Sequence, residues 1–125
     1  MAKILVVDDE QEALDLVQSV LAREHEVVTA KNWIQAIDYV VKGEFDLILM
    51  DINMPGLKGD ELSQIITKRI GHKKALNIVL FSSMPEAELR QRAKDVNAKG
   101  YIAKTFNKDV LHVRINRFLK GLQQA

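Results

Sequence analysis

The chain has 125 residues, of which 47% are hydrophobic and 28% charged, with a formal net charge of +1 and no cysteine. This length suits one domain with its own core. Near-neutrality gives no broad reason to expect direct nucleic-acid binding, and the lack of cysteine excludes disulfides, thiol catalysis and thiolate metal sites. No apolar run in the sequence is long enough for a bilayer, and MAKILVVDDE turns acidic after its apolar residues, which is wrong for a secretory signal. The expectation is a cytoplasmic protein without membrane insertion.

In chain order, residues 4–7 are the first strand candidate, and Leu14, Val17 and Leu21 then recur at helical spacing. Residues 26–30 mark a second strand, and Ala36, Ile37, Val40 and Val41 a second helix. Residues 47–50 mark a third strand, Leu62, Ile65, Ile66 and Ile70 a third helix, and residues 71–77 a polar loop. Residues 78–82 are the fourth strand, with Leu89, Ala93 and Val96 on the helix behind them. Residues 101–103 are the fifth strand, and Leu111, Ile115, Phe118 and Leu122 share a face of the last helix. Strict alternation predicts an α/β protein: a doubly wound five-stranded parallel sheet with five helices on its two faces. Residues 1–125 read as a single domain, with no repeat, low-complexity tract or linker.

Crossovers in such a sheet are right-handed, and ligands bind beyond the carboxyl ends of the strands where the strand order reverses. With the common order 2-1-3-4-5, the first and third strands meet at that point. Asp8 and Asp9 then converge with Asp51, which ends LILMD. Two like charges about 4 Å apart repel by roughly 4 kcal/mol at an effective dielectric of 20, so either a pKa rises or a cation neutralises the cluster. Few carboxylates in an open crevice suit magnesium, which keeps several waters and shares itself with phosphate. The fourth strand delivers the Ser82 hydroxyl to the same rim, and the fifth ends in Lys104. A carboxylate nucleophile, a divalent cation, a hydroxyl and an ammonium together suit phosphoryl transfer to Asp51, which would become an acyl phosphate.

VVDDE, LILMDINMPGLKG, IVLFSS and GYIAK, in this order and spacing, make the chain resemble the receiver domain of two-component response regulators from Lys3 to about Leu122. The resemblance implies a flavodoxin-like fold and phosphorylation on Asp51, with Asp9 as a direct magnesium ligand and Asp8 acting mostly through water. By the same resemblance the backbone carbonyl of Asn53 would complete the protein ligands. It further implies that Ser82 follows the phosphoryl group, that Tyr101 rotates inward behind it and that Lys104 pairs with the phosphate. The phosphodonor would be a sensor histidine kinase, a phosphotransfer protein or a small phosphodonor. Output would pass to a downstream protein at the face of the fourth helix, fifth strand and fifth helix, where Arg90, Gln91, Lys94, Lys99 and Lys108 are candidate exposed residues. Such a chain is a switch, not a metabolic enzyme, and catalyses only its own phosphorylation and dephosphorylation. No effector domain follows the last helix, so a stand-alone regulator and an excised input domain are both open.

Plainer roles compete at each position. Asp9 with Glu12 has the spacing of a helix capping box, Met54-Pro55-Gly56 is a turn by composition, and Ser82, Lys104 or Tyr101 alone would pass as ordinary surface or strand-end residues. His25, His72 and His112 lack metal-ligand spacing and read as surface or packing residues, and Trp33 as packing. Two departures from the family pattern stand out. Thr105 replaces the usual proline after Lys104, which favours a trans peptide because a cis bond before a non-proline residue costs about 2.5–4 kcal/mol. Ser83 replaces the common alanine. The alternative is an aspartyl-phosphate phosphatase or phosphotransferase of haloacid dehalogenase type. Those enzymes place a second aspartate where this chain has Asn53.

Overall fold

The computed structural model describes residues 1–52, 68 and 76–124. Its elements are β1 (Lys3–Val7), α1 (Gln11–Leu21), β2 (Glu26–Ala30), α2 (Trp33–Lys42), β3 (Leu47–Met50), β4 (Ile78–Ser82), α3 (Glu86–Asp95), β5 (Gly100–Ala103) and α4 (Lys108–Gln124). The strands form one parallel sheet in the order β2-β1-β3-β4-β5, as expected. Four helices rather than five are found among the described residues. Apart from Lys68, which is helical, the helix expected around Leu62–Ile70 lies outside them, as do Asn53, His72, the Met54-Pro55-Gly56 turn and most of the 71–77 loop.

Period-2 alternation sorts each strand's side chains onto two cores. Ile4, Val6, Leu47, Leu49, Val79, Phe81 and Ile102 pack under Leu14, Val17 and Leu21 of α1 and Leu111, Ile115 and Leu119 of α4. On the other face Leu5, Val7, Ile48 and Met50 meet Ala36 and Val40 of α2, while Leu80 meets Leu89 and Ala93 of α3. The three inner strands are buried on both faces, and this is why they read as continuous apolar runs. The second helix departs from its expected stripe. Ala36 and Val40 are buried, but Val41 and Trp33 are exposed at 57% and 37%.

The helix ends show which sequence signals were used. Asn32 caps α2 by accepting from the Gln35 N–H at 2.9 Å. The capping box expected from Asp9 and Glu12 is not made: the N-cap is Glu10, and it has no side-chain cap bond. Beyond α3, Asn97 takes a left-handed φ of 57°, and the Ala98 N–H reaches back to Ala93 O at 2.9 Å. The chain thereby turns directly into β5. His25 and His112 are tied together rather than scattered. His25 Nδ1 accepts from the Ala2 N–H at 3.0 Å, His25 Nε2 lies 3.3 Å from Asn116 Oδ1, and His112 Nε2 lies 2.9 Å from Glu24 Oε1.

Candidate functional site

The acidic and basic residues of the site stand one step beyond the strands that carry them, and the neighbouring strands hold them there. The Asp8 N–H donates to Ala30 O at 3.0 Å, the Asp51 N–H to Val7 O at 2.9 Å, and the Lys104 N–H to Ser82 O at 2.8 Å. Each bond continues a parallel ladder past its last assigned pair, so the side chains are aimed by the sheet. Asp8, Asp51 and Ser82 are the buried polar residues of the described chain, at 0%, 3% and 1% exposure.

One cation sits among these carboxylates. Lys104 Nζ lies 2.7 Å from Asp8 Oδ2, 3.6 Å from Asp51 Oδ2 and 3.7 Å from Glu10 Oε1, and 5.5 Å from the centre of the Phe81 ring. Burial acts most strongly on this ammonium and pulls its pKa down. The hydrogen bond that the ammonium donates to Asp8 and the charges of Asp51, Asp8 and Glu10 together outweigh it, and the net pKa is above that of an ordinary lysine. Lys104 is therefore a fixed positive charge at neutral pH. The Lys104–Thr105 peptide is trans, and the lysine still reaches the carboxylates. Thr105 Oγ1 accepts from the Asn107 N–H at 3.1 Å, which shapes the loop without proline.

Asp8, Asp9, Glu10 and Asp51 can each bring one carboxylate oxygen within 4.8 Å of the others. Asp8 Oδ1 takes the Glu10 N–H at 3.0 Å, which closes the turn and brings Glu10 to the rim. Asp8 Oδ2 is buried and is paired with the Lys104 ammonium at 2.7 Å. An all-oxygen set of carboxylates this close together fits a hard divalent cation. Glu10 went unrecognised in the sequence; its adjacency to Asp8 and Asp9 was the available signal.

Ser82 Oγ accepts from the Met84 N–H at 3.1 Å, and Ser83 is exposed. Tyr101 is half-buried, with its ring against the Leu80 and Leu89 cluster. Its hydroxyl points outward, donating to Glu86 Oε1 at 3.0 Å and accepting from Arg90 Nε at 3.2 Å. Beside the ammonium, a hollow of about 190 Å³ lies between α1 and the loop after β5, lined by Ala13, Leu16, Phe81, Thr105 and Phe106 among others.

A family model described as the response regulator receiver domain matches residues 4–116. The chain is 32% identical over 98% of its length to the transcriptional regulatory protein ResD of Bacillus subtilis, of which it covers 50%. It is 29% identical to sporulation initiation phosphotransferase F of the same organism, covering 94% of this chain and 93% of that one. The chain thus spans about half of one curated relative and nearly all of the other. Among solved structures, the Thermotoga maritima response regulator TrrA, in complex with Mg2+-BeF, superposes with a TM-score of 0.78 at 32% identity over 94% of this chain and 98% of its own. No helix among the described residues is long and apolar enough to cross a membrane.

Proposed function

The chain belongs to the receiver domains of two-component response regulators, which are signalling switches, and on that footing we propose that it is switched by phosphorylation of Asp51. The observation that carries this reading is the pairing of a buried Asp51 with a Lys104 ammonium 3.6 Å away inside a carboxylate cluster. A carboxylate oxygen of Asp51 attacks the phosphorus of a phosphohistidine or a small acyl phosphate. The new P–O bond forms as the donor's P–N or P–O bond breaks, and the donor keeps that electron pair. Lys104, already protonated, moves from Asp8 and Asp51 to the phosphoryl oxygens. The Ser82 hydroxyl, released from Met84, can donate to another of them. Asp9, Asp8 and Asp51, with the Asn53 carbonyl, would hold Mg2+, which when bound supplies charge neutralisation between the cluster and the phosphoryl oxygens; the bound state of TrrA supports this.

The donor is a sensor histidine kinase or phosphotransfer protein docking over the hollow beside Lys104. Tyr101 turns inward as Ser82 moves, and this alters the surface formed by α3, β5 and α4 for a downstream protein. Intact mass after incubation with acetyl phosphate tests the chemistry. The expected result is one added phosphoryl group that requires magnesium and is lost in Asp51→Ala. An adduct that persists in Asp51→Ala, or a failure of the wild type to bind beryllofluoride, overturns it.

A further inference from the structure

Ser83 and Thr105, the two residues that depart from the family pattern, face the same space. Both line the hollow of about 190 Å³ beside Lys104, Ser83 from just beyond β4 and Thr105 from the loop after β5. Where alanine and proline would offer only carbon, the hollow has two hydroxyls. Thr105 Oγ1 accepts from the Asn107 N–H at 3.1 Å, so its own proton remains to be donated. Ser83 is exposed, and no described residue engages its hydroxyl.

The remaining lining is apolar on one side and charged on the other. Ala13 and Leu16 of α1, with the Phe81 and Phe106 rings, make the apolar wall. Lys104 closes the hollow toward the carboxylates, its Nζ 3.6 Å from Asp51 Oδ2. A phosphoryl group seated between Asp51 and Lys104 therefore holds its leaving group at the mouth of the hollow. The volume is well below the roughly 300–1,000 Å³ of sites that enclose drug-sized ligands, which limits that leaving group to a few carbon atoms. Glu10 is the anion among the described lining residues. It lies at the rim, with its side chain 65% exposed and 3.7 Å from Lys104 Nζ, where solvent and the ammonium screen it.

We propose, on the reading of Asp51 as the phosphoacceptor, that this hollow is a leaving-group subsite for short-chain acyl phosphates, with Ser83 and Thr105 as its specificity-determining residues. A carboxylate oxygen of Asp51 attacks phosphorus, the new P–O bond forms as the P–O bond to the acyl group breaks, and the electron pair stays on the departing carboxylate. No proton has to move. The two hydroxyls donate to the carboxylate on which this charge develops, so their hydrogen bonds strengthen in the transition state and raise the rate of transfer. The alkyl end of the leaving group lies against Leu16, Phe81 and Phe106. A phosphoramidate donor releases only ammonia, which is too small to reach the hydroxyls and the apolar wall together.

The test is intact-mass kinetics of the whole chain in magnesium, with acetyl phosphate, propionyl phosphate and phosphoramidate as donors. Each variant carries its own reference, because the ratio of acyl phosphate to phosphoramidate rates does not depend on the folded fraction or on magnesium occupancy. Expected is a ratio about threefold to tenfold lower in Ser83→Ala, and lower again when Thr105→Val is added, as for the loss of hydrogen bonds of ordinary strength. Thr105→Ser, which keeps the hydroxyl, should keep the wild-type ratio. Propionyl phosphate should react faster than acetyl phosphate by up to about fourfold, since one more CH2 meets the apolar wall. A ratio unchanged in both Ser83→Ala and the double variant, or propionyl phosphate slower than acetyl phosphate, overturns the subsite. Phosphoramidate labelling of Asp51 then leaves the switch standing, whereas no phosphoryl group from any donor in the wild type overturns both.

Discussion

Lys104 holds together three carboxylates that repel one another. Its removal should destabilise the chain, although burying the ammonium is itself unfavourable. Breaking a buried ion pair costs about 3–5 kcal/mol. Lys104 keeps 16% side-chain exposure, so Lys104→Met is expected to cost about 2–3 kcal/mol at pH 7 by urea denaturation. Because the folded-state pKa of Lys104 is raised, its stabilisation is complete below the ordinary lysine value of 10.5 and is lost only as pH rises through the higher folded value. Wild type and Lys104→Met should therefore differ by a constant amount from neutrality to about pH 10 and converge above it. Millimolar magnesium should raise the melting temperature of Lys104→Met more than that of the wild type, since the carboxylates then lack their resident cation. A smaller rise in the variant would show that the cluster does not depend on Lys104 for charge balance.

At the scale of elements, β5 and α4 are joined through a glycine. Gly100→Ala places a methyl group 2.6 Å from the Phe118 ring, and overpacking of this kind costs about 1–3 kcal/mol. The cost is steric, so it should largely vanish when Phe118 is also alanine: in a double-mutant cycle the two losses are expected to be clearly less than additive. Additive losses would mean that Gly100 serves the backbone of β5 and not the ring. This contact was not legible in the sequence, where Gly100 stands simply before a short apolar run. The strands, by contrast, were legible, because burial on both faces imposes unbroken runs such as LILM and IVLFS. Asp51, Asp8, Ser82 and Lys104 were legible for the same reason, each closing such a run. What depended on side chains folding back across a turn was not: Glu10 nears Lys104 only because Asp8 captures its N–H. The pairing of His25 and His112 through Glu24 and Asn116 needs α1 and α4 side by side. The capping box failed because the carboxylate that shapes this turn is Asp8, one residue earlier than the pattern assumes.

For the whole molecule, the proposed signal is a change of population, and the structure shows what favours the outward Tyr101. Its hydroxyl bridges Glu86 and Arg90, two residues one turn apart on α3. An inward Tyr101 must give up both partners. These are exposed contacts, each individually weak, so they can bias the equilibrium but not lock it. A ligand that binds the inward state has its apparent affinity reduced by the fraction of molecules able to bind, and weakening the outward contacts enlarges that fraction. Arg90→Ala and Tyr101→Phe should therefore each bind beryllofluoride with magnesium more tightly by a few fold, read by NMR at residues around Ser82. They should do so without altering the magnesium affinity of the unphosphorylated chain, because neither residue approaches the carboxylate cluster. Tyr101→Phe discriminates most clearly, since it keeps the ring against Leu80 and Leu89 and removes only the hydroxyl. Unchanged or weaker binding in both variants would mean that the outward hydrogen bonds do not oppose activation, and the restraint would then have to lie in the packing of the ring itself.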